Sequence, residues 1–403
     1  MKLIKRDIYE DKVLAYLGKG LIIVLTGQRR VGKSCILQSV SRRIAEQDKQ
    51  ANLIYINKEY SEFDSITDYR LLTAYVDKHL KAGVANYLFI DEVQDIEGFE
   101  NALRNYHAKA SCDIVVTGSN AKMLSSELST YLSGRYAELH IQGLDYREFL
   151  LFHGLPDSDD ALRKYLTFGG LPQLAQIGLE NTQMISNYLG DIYNTVIMKD
   201  VIARENIRNV RFLTDLVKFI GDNVGKNISA HSISRFMKSQ NVTVSPTLVT
   251  NYLDYLCNAY IVKRVQRFDI HGRKLLETNE KYYFNDVGLR NGLVGSNLRT
   301  DVEKVLENVV CLHLCGQGYR VNVGLLQRGE VDFVAEKEGR RLYVQVCYQL
   351  SSQETIEREV GNLKRINDDY PKLVVCMDRL AAPGNIDGIQ CVYLSDFLLA
   401  AEP

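Results

Sequence analysis

Residues 21–34 read Leu-Ile-Ile-Val-Leu-Thr-Gly-Gln-Arg-Arg-Val-Gly-Lys-Ser, an apolar run followed directly by a complete G-x-x-x-x-G-K-S pattern. The run predicts a buried strand, and a glycine-rich loop between a strand and a helix surrounds phosphate groups with backbone N–H donors. Gly27 and Gly32 allow the tight turn and the close approach of the backbone to a phosphate. Lys33 supplies a positive charge for the β- and γ-phosphate oxygens, and Ser34 a hydroxyl for Mg²⁺. The stretch therefore predicts a nucleoside triphosphate site.

The ligand-binding set extends over the whole loop and one residue beyond it. A helix that begins at the phosphates adds the positive end of its dipole to the site. No guanine-reading N/T-K-x-D pattern follows the later strands, so ATP with Mg²⁺ is the expected ligand, although the choice between ATP and GTP stays open. The predicted nucleotide contacts are Gly27, Gln28, Arg29, Arg30, Val31, Gly32, Lys33, Ser34 and Cys35.

The overall composition sets limits on the class of protein. A chain of 403 residues is expected to form about two to four domains, and its 46% hydrophobic and 25% charged residues are ordinary for a globular protein. No apolar run reaches the length of a membrane span, the N-terminus lacks the apolar stretch of a secretion signal, and the eight cysteines lack C-x-x-C spacing. We therefore expect a cytoplasmic protein with no membrane partner. A net charge of −1 restricts any nucleic-acid contact to a local basic patch.

The order of apolar and polar segments predicts an α/β protein of four parts. Strands alternate with helices in residues 1–155, as in a P-loop (AAA+) parallel sheet, and residues 156–210 read as a helical lid. Three short helices and a β-hairpin in residues 211–297 predict a winged helix. Residues 298–403, a long amphipathic helix followed by strands, predict a small α/β domain.

Two acidic residues follow the predicted strand Tyr87–Ile90. In a P-loop enzyme the first, Asp91, orients the Mg²⁺ shell together with Ser34. The second, Glu92, is placed to accept a proton from the water that attacks the γ-phosphate. P-loop kinases usually lack the second acid, so the pair favours nucleotide hydrolysis. The alternative is that both acids only cap the next helix.

Asn120, after the next predicted strand, and Arg135, at the end of the helix that follows it, complete the predicted catalytic set of Lys33, Glu92, Asn120 and Arg135. Asn120, and after it Ser119, is expected to lie between Asp91 and the γ-phosphate and to respond to its loss. Arg135 is expected to stabilise the transition-state charge, either in its own subunit or in a neighbour of a homo-oligomer. The alternatives are a plain strand-to-helix turn for Asn120 and a solvated surface residue for Arg135.

These motifs together resemble the AAA-type ATPases of archaea and bacteria that carry a C-terminal domain of unknown function. The resemblance spans nearly the whole chain, although only the P-loop is specific when taken alone. It implies an AAA+ core, a winged-helix segment and a C-terminal domain similar to restriction endonucleases. The segments that carry it are Gly27–Ser34, Ile90–Gln94, Thr117–Asn120, Ser133–Arg135, Gly169–Pro172 and Lys281–Arg290.

In the C-terminal domain the resemblance implies a metal site at Glu307, Asp332 and Gln345. Nucleases of the restriction type hold Mg²⁺ with acidic residues and position the attacking water with the lysine of a [DE]-x-K motif. Here that motif reads Gln345-Val346-Cys347, which lacks both the second acid and the lysine. Lys304, one turn before Glu307, is the substitute that the sequence offers. A degenerate domain kept for binding or packing is favoured over an active nuclease.

A basic set near the predicted winged helix makes DNA a candidate partner through counterion release. In the helix after Pro246, Leu248, Tyr252, Leu253 and Leu256 are expected to face the core, and Thr250, Asn251 and Asp254 to face outward. Winged helices also bind proteins, so a protein partner stays open. The basic candidates are Arg235, Lys238, Lys263, Arg264, Arg267, Arg273 and Lys274.

The sequence thus predicts an ATP-binding and ATP-hydrolysing protein in which the nucleotide state moves the winged-helix and C-terminal domains, with DNA as the preferred partner. The alternatives are a slow nucleotide-dependent switch that binds a protein partner, and an ATP-gated nuclease. Oligomeric state and biological pathway stay open.

Overall fold

The computed structural model describes residues 4–121, 132–295, 301–350, 352–382 and 384–401. The chain forms two compact units. The first unit comprises Met1–Gln142 together with Asn258–Tyr260, and the second comprises Gly143–Cys257 and Ile261–Pro403. Within the described ranges, no helix combines the length and the apolar character that crossing a membrane requires.

The first unit contains a five-stranded sheet in the order β2-β3-β4-β1-β5, in which every pair of neighbours is parallel. All five residues of β1 are buried, because helices cover both faces of such a sheet. The strands are β1 Ile22–Thr26, β2 Asn52–Asn57, β3 Asn86–Asp91, β4 Asp113–Gly118 and β5 Tyr136–His140, and the described helices are α1 Asp7–Tyr16, α2 Lys33–Gln47, α3 Tyr69–His79 and α4 Phe99–Lys109.

This strand order decides where the polar residues meet. In parallel sheets the carboxyl ends of all strands lie at one edge, and ligands bind there. Because β4 lies between β3 and β1, the residues that follow these three strands are neighbours at that edge. The predicted parallel α/β sheet is confirmed.

The second unit begins with helices and continues into a mixed sheet. Its sheet has eight strands in the order β12-β13-β11-β10-β9-β8-β6-β7. The helices are α5 Tyr146–His153, α6 Asp159–Phe168, α7 Leu174–Ile177, α8 Thr182–Val196, α9 Val210–Asp222, α10 Ala230–Ser239, α11 Pro246–Asn258, α12 Val287–Val294, α13 Val302–Gly316, α14 Gln353–Lys364 and α15 Leu394–Leu399, with a π-helical turn Ile197–Ala203 after α8. The strands are β6 Val262–Asp269, β7 Lys274–Phe284, β8 Arg320–Leu325, β9 Glu330–Lys337, β10 Arg340–Cys347, β11 Lys372–Cys376, β12 Gly384–Ile386 and β13 Ile389–Tyr393.

The three helices α9–α11 and the hairpin β6–β7 form where the sequence predicts them. The sequence did not predict that the hairpin extends the C-terminal sheet: β6 pairs in parallel with β8, with Arg267 opposite Val323. Residues 211–297 and 298–403, which the sequence divides, therefore share one sheet. Their assignment as a winged helix and a restriction-endonuclease-like domain stays a prediction.

Two of the motif segments interlock inside the second unit. Asp286 caps α12 by accepting a hydrogen bond from the N–H of Leu289 at Oδ1, at 2.9 Å, and its Oδ2 accepts one from the N–H of Gly170, at 2.8 Å. A side chain at Gly169, whose φ is +76°, would place its Cβ 2.4 Å from the Asp286 carboxylate. A Cβ at Gly288 would lie 1.9 Å from the carbonyl oxygen of Phe168. The glycines of both segments are therefore required for close packing.

Candidate nucleotide-binding site

The loop between β1 and α2 has the backbone conformation that its glycines permit. Gly27 has φ +135°, and a Cβ at this position would lie 2.1 Å from the carbonyl oxygen of Ile141, so only glycine fits. Gly32 has φ +96° and immediately precedes α2. Arg30 also adopts a positive φ, +73°, which is uncommon for a residue with a side chain. The loop thus presents the free N–H groups at the start of α2 next to the end of β1.

Lys33 is buried, and its ammonium group lies across the loop. Its Nζ donates to the carbonyl oxygens of Gly27, at 3.0 Å, and Gln28, at 3.1 Å. These contacts hold the ammonium group against the backbone of the loop. Of the other predicted contacts, Ser34 and Arg29 are half-buried, while Arg30 and Cys35 are exposed.

Asp91, the last residue of β3, is fully buried, and one of its oxygens is held by Thr117 of β4. The Thr117 hydroxyl donates to Asp91 Oδ1 at 2.6 Å. Burial raises the pKa of Asp91 above its ordinary value, and hydrogen bonds from Thr117 and Ser34 partly offset this effect. Asp91 Oδ2 is buried and accepts no hydrogen bond from the described residues. A buried carboxylate oxygen without a partner, next to a serine hydroxyl, fits a Mg²⁺ ion, which prefers oxygen ligands.

Glu92 lies beside Asp91 in a strained backbone conformation, with φ +54° and ψ +53°. Its N–H donates to Thr117 Oγ1 at 2.9 Å, so one threonine hydroxyl fixes both acidic residues. Its carboxylate accepts hydrogen bonds from Ser119, at 3.2 Å, and from Gln94. Burial alone raises the pKa of Glu92, but the charge of Lys33 and the bond from Gln94 outweigh it and lower this pKa. Glu92 is therefore ionised at neutral pH.

The two less specific predictions for catalytic residues have different outcomes. Asn120 is buried beyond the end of β4, but the hydroxyl that reaches Glu92 belongs to Ser119, the second choice. Asn120 stays a prediction.

Arg135 is exposed, and its carbonyl oxygen accepts a hydrogen bond from the N–H of Ile22, at the start of β1. The phosphate loop follows the carboxyl end of β1. Because β1 has five residues, this end lies about 16 Å from Ile22. The register therefore argues against a role for Arg135 in its own subunit, because the arginine lies at the opposite edge of the sheet.

Sequence reasoning missed Thr117 and Gln94 as members of the site. Both lie inside motif segments used for the resemblance, but their roles depend on which strand is adjacent to which. The position of Thr117 one residue before the end of an apolar strand is the only signal that pointed to it.

Residues 19–150 match the family described as AAA domain, and residues 159–300 match a domain of unknown function, DUF8612. An uncharacterized protein of Haemophilus influenzae is 31% identical over 403 residues, with 98% of this chain and 99% of that protein covered. The chain belongs to the same family as the Haemophilus protein. Uncharacterized protein MJ1544 of Methanocaldococcus jannaschii is 28% identical over 383 residues, with 89% of this chain and 80% of that protein covered.

Among solved structures, the Walker-type ATPase PABY2304 of Pyrococcus abyssi is similar, with a TM-score of 0.50 at 14% identity over 72% of this chain and 95% of the other. At this identity the likeness shows a shared fold. The prediction of an AAA-type P-loop domain is confirmed. The C-terminal half is matched only as a domain of unknown function.

Beyond the AAA domain, the residues predicted as a C-terminal metal site converge around a lysine that the sequence reading did not select. Lys281 of β7 is buried, and its Nζ lies 2.9 Å from a carboxylate oxygen of Glu330 and 3.8 Å from those of Glu307 and Asp332. Lys304, the substitute expected from the sequence, pairs instead with Asp301 at 2.7 Å.

Gln345 lies next to this cluster, and its side chain forms hydrogen bonds with neighbouring residues. Its Oε1 accepts from the N–H of Asp332, at 3.3 Å, and its Nε2 donates to Glu359, at 2.8 Å. Burial, and then the charge of Asp332, raise the pKa of Glu307 to about 8. In the described part of the chain, no group of three His, Cys, Asp or Glu side chains is arranged to hold a metal ion. The Lys281 ammonium balances the charge of the acidic residues around it.

Six of the seven predicted DNA-contact residues separate into two sets, and the seventh, Arg267, is half-buried on β6. Arg264 pairs with Asp254 and Glu280, and Lys263 is half-buried, with a pKa that Cys315 raises. These internal contacts make both cations poor phosphate ligands. Arg235 and Lys238 of α10, and Arg273 and Lys274 at the hairpin turn, are exposed. Helix α11 buries Tyr252, Leu253 and Leu256 as predicted, with Leu248 half-buried, Thr250 and Asn251 exposed, and Asp254 half-buried.

Proposed function

We propose that the AAA domain binds ATP with Mg²⁺ and hydrolyses it. The observation that carries the proposal is the Thr117 hydroxyl, which holds Asp91 and Glu92 together beside the phosphate loop. Ser34 and Asp91 would hold the Mg²⁺, which when bound polarises the phosphate oxygens as a Lewis acid. Lys33 and the N-terminal N–H groups of α2 bind the phosphates and stabilise the charge that develops on them.

Glu92 is the proposed general base. Its lowered pKa keeps the carboxylate ionised, so that it accepts a proton from a water molecule placed against the γ-phosphate. The bonds from Ser119 and Gln94 orient this carboxylate. Ser119 and Asn120, immediately after β4, are the residues proposed to respond to the loss of the γ-phosphate.

Steady-state release of phosphate from MgATP tests this mechanism, with binding measured in parallel by a fluorescent ATP analogue. Lys33→Ala is expected to lose binding, whereas Glu92→Gln is expected to bind normally and to lose turnover by about a hundredfold or more. The matched control is Glu62→Gln, an exposed acid of the same domain, which should behave as wild type. Wild-type protein that binds MgATP without turnover would favour the nucleotide-dependent switch with a protein partner. Wild-type protein that binds no nucleotide would refute both.

We further propose that the second unit contacts DNA through the exposed cations of α10 and the β6–β7 turn. The double variant Arg273→Glu/Lys274→Glu should lower the affinity for duplex DNA and reduce the steepness of its salt dependence, since each phosphate contact releases counterions. The control is Lys78→Glu/Lys81→Glu, an equal change of charge on exposed lysines of the first unit. Equal loss in both variants, or no binding by wild type at low salt, would remove DNA and favour a protein partner.

A role for Arg135 from a neighbouring subunit is the remaining form of the arginine-finger proposal, and it requires a homo-oligomer. Arg135→Ala and Glu92→Gln should then each lose turnover alone. Mixing the two variants should restore part of it, because some interfaces combine an intact Arg135 with an intact Glu92. Absence of recovery in a mixture that light scattering shows to be oligomeric would reject this role.

The nuclease alternative is favoured by one observation, the ammonium group of Lys281 among Glu307, Glu330 and Asp332. Nicking of supercoiled DNA with Mg²⁺ or Mn²⁺ that is lost in Asp332→Ala would support it. If the plasmid stays intact in the presence of ATP and either metal, the cluster is an internal ion-pair group and the nuclease alternative is rejected.

A further inference from the structure

The turn between α11 and β6 belongs to the first unit, although the chain on both sides of it belongs to the second. This turn is Asn258–Tyr260. The carbonyl oxygen of Asn258 accepts a hydrogen bond from the N–H of Ala121 at 2.8 Å. Ala259 is buried, with 1% of its surface exposed. Three residues from the C-terminal half of the chain are thus built into the AAA domain.

Tyr260 makes the most specific contacts of the turn. Its ring packs against that of His140 with centroids 4.9 Å apart, and its hydroxyl is hydrogen-bonded to the side chain of Thr26. Its φ is +54°, a left-handed conformation that is a genuine outlier for a bulky residue. Such strain persists only where the surrounding contacts determine the conformation, so the position of this side chain is enforced.

The contacts of the turn fall on both sides of the nucleotide site. Thr26 is the last residue of β1 and precedes Gly27 of the phosphate loop, while Ala121 directly follows Asn120. Thr26 also donates to Glu138 Oε1 at 2.7 Å and lies 3.3 Å from His140 Nδ1. The Tyr260 hydroxyl therefore joins a small polar group that fixes the end of β1. Burial raises the pKa of this phenol to about 12, so it stays protonated at all working pH values.

We propose that Tyr260 is a positioning residue for ATP hydrolysis, because its ring and hydroxyl fix the end of β1 at the phosphate loop while its turn holds Ala121 after β4. The inference rests on the proposed ATPase function and concerns contacts within the first unit alone.

The test is a double-mutant cycle of Tyr260→Phe and Thr26→Val, with kcat, KM and the melting temperature measured for each variant. Tyr260→Phe keeps the ring on His140 and removes only the hydroxyl. We expect kcat to fall by about threefold to tenfold, as for one buried hydrogen bond, with KM changed less than about twofold. Because both single variants remove the same bond, the double variant should be no worse than the more impaired single one. Tyr255→Phe, a half-buried tyrosine of α11, is the matched control and should resemble wild type.

A second readout does not depend on turnover. Binding of a non-hydrolysable ATP analogue should change amide hydrogen exchange in a peptide covering 258–262 by about threefold or more, and Lys33→Ala should abolish the change. Tyr260→Phe with wild-type kcat, additive effects in the cycle, or unchanged exchange at 258–262 would overturn the inference while the ATPase function stands. A wild-type protein that binds no MgATP would overturn both.

Discussion

The hydroxyl of Thr117 gives the sharpest test of the site, because it is one atom with two buried partners. It donates to Asp91 Oδ1 at 2.6 Å and accepts from the N–H of Glu92 at 2.9 Å. Thr117→Val keeps the shape of the side chain and removes both bonds. Loss of a hydrogen bond to a charged group costs about 1.5–3 kcal/mol, and a buried N–H left without a partner costs about 1–3 kcal/mol. Allowing for relaxation, we expect the AAA domain to lose about 3 kcal/mol of unfolding free energy.

The same change should lower activity by a separate route. Without the Thr117 bond, Glu92 is free to leave the strained conformation that aims its carboxylate, and we expect kcat to fall by about tenfold to a hundredfold. The pKa of Asp91 should also rise further above its ordinary value, since the Thr117 bond is one of the effects that lower it. Asp91 must be ionised to hold a cation. The acid limb of the kcat–pH profile should therefore move to higher pH.

Thr117→Ser is the control for this experiment, because it keeps the hydroxyl and loses one buried methyl group, worth about 1 kcal/mol. Phosphate release at saturating MgATP and urea unfolding give the two measurements. If Thr117→Val retains kcat within twofold of wild type, or if Thr117→Ser is equally impaired, the hydroxyl does not organise the acidic pair and the reasoning is wrong.

Three further predictions concern the second unit. Lys281→Met should destabilise the protein by about 3–5 kcal/mol in urea unfolding, because it leaves buried carboxylates without their counter-charge; an unchanged midpoint would contradict this. Glu307 keeps a proton between about pH 4.5 and 8 that the unfolded chain has released, so wild-type stability should fall as pH rises through this window, by at most about 1.4 kcal/mol per pH unit. Glu307→Gln should lack that part of the slope, and an identical slope would reject the assignment. Gly288→Ala should lower the melting temperature by several degrees because its Cβ would collide with a carbonyl oxygen, whereas Gly190→Ala, with open space inside α8, should gain about 0.5–1 kcal/mol; equal effects would refute the steric argument.

The sequence predicted the parts of the site that are local in the chain. The phosphate loop, Lys33 and Ser34 follow from spacing alone, and Asp91-Glu92 from its place after a strand. The parallel sheet of the AAA domain was predictable for the same reason, since each strand is an apolar run bounded by polar turns. Each of these features is determined by the local sequence and its backbone geometry, and none depends on a tertiary contact.

Residues that meet only through tertiary pairing were not predicted. Lys281 lies on a hairpin whose sequence suggests a solvated wing, and it is buried because β6 joins the sheet of β8 and β9. Arg264 was selected for its charge, but Asp254 and Glu280 already neutralise it. Tyr260 gave no signal, since a lone tyrosine after a helix is ordinary. A positive φ and a contact with Thr26 cannot be read from one sequence.

The sequence motifs of this chain have two different physical origins, ligand binding and packing. In Gly27–Ser34 and Ile90–Gln94 the residue types follow from the ligand, because phosphate and Mg²⁺ need N–H donors, an ammonium group and oxygen ligands. In Gly169–Pro172 and Lys281–Arg290 they follow from packing: Asp286 caps a helix and binds the N–H of Gly170, and Gly288 lies against a carbonyl. Asp286 and the glycines of these two segments therefore carry no argument for chemistry at their own positions. These residues hold α6 against α12, directly after β7.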